Sequence, residues 1–573
     1  MREQPSTITE RVDDIPVLTV SAERIGVPEL LDEHFTTHGN WQGVSLGKML
    51  TGWLVHILSE ADHRLNHVQD WAGKRLETLR YSLGAELQAM DFSDDRLAAG
   101  LDLLSDDERW VKFETDLNRR IIRVYDLKRK CVRIDTTSAS GYWQVTEDGI
   151  FQFGHSKDHR PDLAQLKVVL ATLDPLAMPV ATLVVSGEKA DDPLYIPAID
   201  QVRKGLDSRG LMYIGDCKMM SFGTRTHIAA GKDFYLGPFS SIQISQYELD
   251  TYLEPVWSGQ QALTEVERQG TNGKLEKIAK GFELCVIQTA KVADEEISWT
   301  ERHLVIRSLA HAKAATEALH SRIEKAQAAI NALSERKQGK ELILDAKVLA
   351  QMAEAILKKD EVVELLQFQV TEQVQERSLR KYKDRPAETR IERQLLITTA
   401  KDEVAILKAI QRLGWRIYGT NAPKDELTIE QAVLAYREEY LVEHCFGRLK
   451  GKSLSLTPMY LQDDQRATGL TRLLSIGLRI LTLLEHVARC HLAEKDEKLS
   501  GLYAGNPTRA TSRPTTEAML QAFKDIFLNF ITVGGQTYRH ISPLSSLQQK
   551  ILTLLDLPDT IYTNLATDFE NLT

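Results

Sequence analysis

The sequence predicts an α+β chain: a mixed β-sheet covered by helices, interrupted by a large, mainly helical insertion and flanked by helical N- and C-terminal regions. Three observations carry this. Apolar residues recur at helical spacing up to about residue 125. Short apolar runs bounded by turn residues then take over, first in hairpin order and afterwards alternating with helices. Near residue 240 that order breaks, and sheet-like sequence resumes only at about residue 393. The regions are therefore 1–125, 126–240, 241–392, 393–495 and 496–573. A chain of 573 residues is long enough for several cores at roughly 100–200 residues per domain.

In the first region, Leu46, Met49, Leu50, Leu54, Ile57 and Leu58 mark one amphipathic helix. Ser105-Asp106-Asp107-Glu108 caps another with acidic first-turn residues. The period then changes. Strands are expected at Cys131–Thr137, Ile150–Phe153, Gln165–Asp174 and Pro179–Val185, followed by a helix over Pro193–Leu206. Leu211–Asp216 reads as a short buried strand, Gly223–Ala230 as a helix and Asp233–Leu236 as a further strand. In the insertion, Phe282–Thr289 and His303–Ile306 pair as strands. Thr316, Ile323 and Ile330 fall seven apart, and Ala312, Leu319, Ala326 and Leu333 form the complementary series. With a second helix over Ala346–Leu366, this gives an antiparallel helical hairpin or a dimerisation arm. Arg377, Arg380, Lys381, Lys383, Arg385, Arg390 and Arg393 then form a basic run, either a solvated face or a phosphate-tracking loop. Beyond it come a strand at Arg393–Thr399, a helix at Lys401–Leu413, a strand at Trp415–Gly419 and one long helix from Thr428 to Leu449. A Leu-rich helix spans 467–494, and the C-terminal region, a possible dimerisation surface, reads as loop then helix.

Composition excludes several classes. Apolar residues at 43% and charged residues at 27% are ordinary globular usage, not a disordered or collagen-like chain. A net charge of −10 argues against a histone-like coat, although DNA binding needs only a local basic face. Cys131, Cys217, Cys285, Cys445 and Cys490 form no CxxC pair, which excludes a Cys-rich zinc site and fits a reducing compartment. The N-terminal residues lack an apolar signal core. The most apolar late stretch, Leu473–Leu484, is interrupted by Arg479 and is too short to span a bilayer. The expectation is a cytoplasmic protein with no membrane partner.

Three acids stand out. Asp135 and Asp216 each end a buried strand, where an ionised carboxylate needs partners. Glu443 lies in the long helix among Leu441, Val442, Cys445 and Phe446, whereas Glu438 and Glu439 read as solvent-facing. Three carboxylates without a Cys or His cluster suit hard cations, Mg²⁺ or Mn²⁺. Two such ions ~3.5–4 Å apart serve phosphodiester chemistry. Lys450, seven residues after Glu443, shares its helix face.

These residues fall in a recognisable order. Tyr436, Glu443 and Lys450 match a helix motif of Tyr, two residues, Arg, three residues, Glu, six residues, Lys. The motif arginine is here Glu439, with Arg437 and Arg448 nearby. Together with Arg133–Thr137, Gly154–Leu163, Gly215–Met219 and Thr420-Asn421, the chain resembles a DDE transposase of the bacterial insertion-sequence-four-like group, in its long branch (insertion sequence sixteen-thirty-four type). The resemblance covers about 130–495. It implies an RNase H-like core with a mixed five-stranded sheet, and an insertion before the Glu helix that accounts for the 227-residue separation of Asp216 and Glu443. It also implies Asp135, Asp216 and Glu443 as catalytic metal ligands for two ions, Mg²⁺ or Mn²⁺. Double-stranded DNA, both element terminal repeats and target, is the implied partner, with a homodimer pairing two ends in the bacterial cytoplasm at the nucleoid.

Tyr436, Arg437, Arg448 and Lys450 are the implied phosphate-positioning residues. His155, Lys157 and Arg160 form either a polar hairpin turn or a contact with the DNA backbone. Trp257 and Trp299, in the insertion, are core residues or, as the resemblance implies, aromatics that stack an unpaired base. The rival readings are an inactive, transposase-derived DNA-binding scaffold and a different nuclease on the same fold.

Overall fold

In the computed structural model, residues 6–270, 273–335, 343, 345–379, 388–533 and 536–566 are described. The chain divides into two compact units, one of residues 1–237, 288–299 and 435–573, the other of residues 238–287 and 300–434.

The first unit opens with β1 (Ser6–Arg11) and the helices α1 (Ile15–Arg24), α2 (Val27–His34), α3 (Leu46–Glu60), α4 (Leu65–Gly73), α5 (Leu76–Leu83), α6 (Asp94–Leu104) and α7 (Asp107–Tyr125). Ser45 caps α3 and Asp106 caps α7, each accepting a backbone N–H three residues on. Trp110, Phe113, Leu117 and Ile121 form the buried stripe of α7.

The sheet follows: β2 (Cys131–Gly141), β3 (Ala164–Leu173), β4 (Met178–Ser186), α8 (Tyr195–Leu206), β5 (Met212–Ile214), α9 (Phe222–Ala230) and β6 (Phe234–Pro238). Five strands of the nine-stranded sheet lie here, in the order β4-β3-β2-β5-β6. The first three strands run antiparallel as a meander, in register Val132↔Leu173 and Leu170↔Thr182. β5 then joins β2 in parallel, with Arg133 opposite Ile214, and β6 joins β5 in parallel. Parallel neighbours need a crossover, and α8 and α9 supply them. β3 is buried along its whole length, which is why it reads as a continuous apolar run. No strand forms at Ile150–Phe153; only a bridge between Gln152 and Gln165 remains, because Gln152 turns its amide onto the carbonyls of Thr146 and Gly149.

Next along the chain come α10 (Gln246–Trp257), β7 (Thr264–Gln269), β8 (Leu275–Val292) and β9 (Glu295–Ser308), the last two longer than the sequence runs suggested; residues 288–299 of β8 and β9 belong to the first unit and the rest of these elements to the second. Next come α11 (Leu309–Asn331), α12 (Ala346–Lys359), β10 (Leu366–Leu379), β11 (Glu388–Lys401), α13 (Glu403–Arg412) and β12 (Trp415–Thr420). Leu319, Ile323, Ala326, Ile330 and Leu333 pack onto Leu349, Ala353, Leu357 and Ile397, so the heptad seam is filled from within the chain. α12 stops at Lys359 rather than Leu366, because Glu361 takes a left-handed backbone (φ 54°). Arg377, Arg390 and Arg393 of the basic run lie on a two-stranded ribbon, with β10 paired to β11 from Leu366↔Lys401 to Leu379↔Glu388. Arg380, Lys381, Lys383 and Arg385 lie outside the described residues. Compactness places residues 393–434 with this unit, beside the expected insertion at 241–392.

The remaining elements are α14 (Ile429–Arg437), α15 (Tyr440–Lys450), α16 (Asp464–Glu494), the short pair β13 (Leu499–Ser500) and β14 (Ala510–Thr511), α17 (Thr516–Gln521), β15 (Phe527–Val533), β16 (Gln536–Ile541), α18 (Ser546–Leu554) and α19 (Thr560–Thr563). α16 has the length and apolarity of a membrane span, yet 94% of its apolar window is buried inside protein. Arg479, which interrupts that apolar stretch, is fully buried on Glu114 of α7 at 2.5 Å. Glu114 also accepts the Thr182 amide of β4 and the Gln201 side chain of α8, so one carboxylate ties four elements together. The C-terminal region is not only loop and helix: β15 pairs with both β16 and the N-terminal β1.

Candidate functional site

The central strands position two acids. Asp135 lies within β2, two residues past its last pairing with β5 (Arg133↔Ile214), and Asp216 lies two residues past the end of β5, near enough for its charge to act on Asp135. Asp135 Oδ1 accepts the Thr136 amide at 2.7 Å and the Lys157 ammonium at 3.4 Å. Asp216 Oδ1 accepts the Tyr195 hydroxyl at 2.7 Å and the amides of Lys218 and Met219 at 2.9 and 3.4 Å. Burial raises the Asp135 carboxyl above its usual range and the charge of Asp216 adds to this, against Lys157 and the Thr136 amide.

Lys157 is held between the sheet and a turn. Its ammonium donates to the Thr136 carbonyl at 2.5 Å and hydroxyl at 2.6 Å, and lies 3.7 Å from Asp191. Asp191 in turn pairs with Lys167 at 2.8 Å. Around Lys157, His155 and Arg160 are exposed, and Arg160 forms a two-pronged pair with Asp162 at 2.8 and 2.7 Å. Lys450, at the end of α15, donates to the Ser138 carbonyl at 3.0 Å and to Asp158 at 2.5 Å. The motif lysine therefore ties α15 to β2 and to the segment after it.

The Glu helix is not continuous. Between α14 and α15 the backbone bonds tighten to three-residue spacing, Glu439 to Tyr436, Leu441 to Glu438 and Val442 to Glu439. Buried Arg133 of β2 braces this turn through the Ala435 carbonyl at 2.7 Å and Glu438 at 3.7 Å, while pairing with Asp174 at 2.8 Å. The sequence reading of Glu439 as solvent-facing is corrected: Glu439 is half-buried, whereas Glu443, one turn on, is exposed. Burial raises the Glu439 carboxyl; the charges of Asp135, Asp216 and Glu443 add to this, against a hydrogen bond from Tyr436. Arg437 is half-buried. Arg448 is buried on the far side of the helix register, pairing with Glu485 and, at 2.9 Å, with Glu517. Its charge is committed to protein carboxylates.

The tryptophans go separate ways. Trp257 ends α10, 37% exposed, under the guanidinium of Arg412. Trp299 is half-buried, stacks on Phe222 with ring centres 6.1 Å apart and donates to the Tyr235 hydroxyl at 2.9 Å.

The donors present fit hard divalent cations. Among the described residues, every hydrogen bond accepted by the Asp135 and Asp216 carboxylates falls on Oδ1. Each Oδ2 is left for another ligand, and the charge of Asp216 adds to the cost of ionising Asp135, which a cation relieves. Among the described residues no three Cys, His, Asp or Glu side chains already converge into a closed ligand group. The arrangement is an open pair of strand acids approached by helix acids. Sequence reasoning passed over Tyr195 and Asp191, and placed Glu439 on the solvent face. The only sequence signal for the first two was the Asp191-Asp192-Pro193 turn between the strand acids.

No family model matches the chain, and no curated protein matches it. Among solved structures it is similar to a piggyBac transposase synaptic complex with hairpin DNA, determined by cryo-electron microscopy. The identity is 10% and the TM-score 0.34, over 97% of this chain and 86% of that one.

Proposed function

We propose that this chain is a DNA transposase whose RNase H-like core cuts DNA at the ends of an insertion sequence and joins them to target DNA. The observation that carries the reading is the pair Asp135, within β2, and Asp216, just past the end of the parallel neighbour β5, each with one oxygen fixed and one left. The β4-β3-β2-β5-β6 order, antiparallel then parallel, is the sheet such a core requires. Asp135, Asp216 and Glu443 would hold two Mg²⁺ or Mn²⁺ ions, which when bound activate an attacking oxygen and stabilise the leaving one.

The rest is done by the chain's own residues. Thr136 and Lys157 fix Asp135, and Lys450 fixes the end of α15 against β2. Tyr436, Arg437 and His155 are offered to the DNA backbone near the scissile bond, and exposed Arg160 would join them on leaving Asp162. Water attacks the phosphodiester at the element end, and the bond to the 3′-oxygen breaks. The released 3′-hydroxyl is then the nucleophile, on the opposite strand in a hairpin step and afterwards on target DNA. Helices α1–α7 would bind the terminal repeats of two ends held by a homodimer, in the bacterial cytoplasm at the nucleoid. Lys157 and Arg448 are left out of the DNA contacts, because their charges are held by Asp135 and Thr136 in one case and by Glu485 and Glu517 in the other.

One observation favours a second reading. Glu439 stands at the motif arginine and adds negative charge where a phosphate would approach, which suits a DNA-binding scaffold without cleavage. Labelled element-end DNA, incubated with wild type or Glu443→Gln in Mg²⁺ or in EDTA, separates the two. Metal-dependent nicking at the end, lost in the variant, is the expected result. Tight end binding with no cleavage in Mg²⁺ or Mn²⁺ would favour the scaffold.

A further inference from the structure

We infer that Tyr195 is a positioning residue that aims the Asp216 carboxylate at its cation; this rests on the two-carboxylate reading above. Tyr195 opens α8, is 1% exposed, and gives its hydroxyl proton to Asp216 Oδ1 at 2.7 Å. The same oxygen accepts the Lys218 and Met219 amides. Three donors on one oxygen fix the rotation of the carboxylate and so set where Oδ2 points. The two amides are backbone groups that any residues at 218 and 219 would bring; the phenol is the donor that a side chain adds.

The turn that carries Tyr195 serves both acids. Four residues earlier, Asp191 lies beside Lys157, whose ammonium bonds Asp135. The two carboxylates are thus steadied from one short segment, but by different chemistry. Lys157 brings a positive charge that partly neutralises Asp135. Tyr195 is a neutral donor, so it orients Asp216 and leaves the carboxylate charge for the ion. Removing the hydroxyl frees the carboxylate to rotate and weakens cation binding, while the ring still fills its place in the core.

The test is Mn²⁺ binding to the full-length protein without DNA, by titration calorimetry, for wild type, Tyr195→Phe and Asp216→Asn. Tyr195→Phe is expected to raise the Mn²⁺ Kd about 10–100-fold, the usual loss for removing a partner of a metal ligand. Its metal-free thermal midpoint should stay within about 5 °C of wild type. Asp216→Asn should lose the site. Wild-type Mn²⁺ affinity in Tyr195→Phe, with the site lost in Asp216→Asn, would reduce Tyr195 to packing and overturn the inference while the function stands. Wild-type affinity in Asp216→Asn would overturn the two-carboxylate reading itself, and this inference with it.

Discussion

Asp135 and Asp216 leave neighbouring strands with one oxygen each fixed by donors, whereas Glu439 and Glu443 stand one helical turn apart at the start of α15, and only Glu439 withdraws from solvent. The strand acids owe their place to sheet register, which allows little adjustment. The helix acids owe theirs to a turn where α14 gives way to α15, braced by Arg133 from β2. A rigid pair and an adjustable third acid are what an active site needs if DNA binding completes it. The difference teaches that the proposed role of the strand acids leans on fixed geometry, whereas that of the helix acid leans on a turn that can adjust.

The largest effect should come from the rigid pair. Asp135→Asn or Asp216→Asn is expected to bring metal-dependent nicking of end DNA down to the level seen in EDTA, with the fold intact by circular dichroism. Activity surviving in either variant would break the comparison at its stronger side. On the helix side, Glu443→Gln should abolish nicking, and Glu439→Gln should slow it about 10-fold, the range for a group acting beside the ligands. The reverse ranking in single-turnover rates would transfer the third-acid role to Glu439. A smaller effect is expected at Lys157. Lys157→Met should slow cleavage about 10-fold with the salt dependence of end binding unchanged, since its ammonium is held by Asp135 and Thr136. A salt slope smaller by about one would place it on a phosphate instead.

Acid separates scaffold from site. His56 of α3 is buried against Trp71, and burial lowers its pKa from 6.5 to about 4. Between those values the unfolded chain holds the proton and the folded chain does not, so stability falls as pH falls through that window. From pH 6.5 to 5 the loss is about 2 kcal/mol, measurable by urea unfolding and removed in His56→Gln. A flat stability profile over that range in the wild type would mean that His56 is not buried as described.

The sequence made the strand half of the site legible because central buried strands announce themselves. Val168-Val169-Leu170 is apolar throughout, and Asp216 follows such a run, whereas Asp135, expected to end its strand, lies inside β2, which continues to Gly141. Of the ribbon, the Arg393–Thr399 part of β11 was legible and β10 was not, because Glu372, Gln373 and Glu376 are polar and exposed and dilute its apolar alternation. The pairing of β1 with β15 joins residues such as Thr9 and Asn529, too far apart in sequence for any local pattern to register. Tyr195 looked like one more apolar helix residue; only its hydroxyl, placed by a turn and a crossover, marks it. Glu439 was misjudged because helical periodicity assumes an unbroken helix, and the tightened turn at Glu438-Glu439 shifts which acid withdraws from solvent.

The most direct test replaces the leaving 3′-oxygen at the element end with sulfur and compares cleavage in Mg²⁺ and Mn²⁺. Hard Mg²⁺ serves oxygen, whereas Mn²⁺ tolerates sulfur. The wild-type protein should cut the oxygen substrate in both metals and the sulfur substrate in Mn²⁺ alone, with Asp216→Asn inactive on both. Cleavage of the oxygen substrate in EDTA, or of both substrates equally in either metal, would contradict a carboxylate-held metal at the scissile bond.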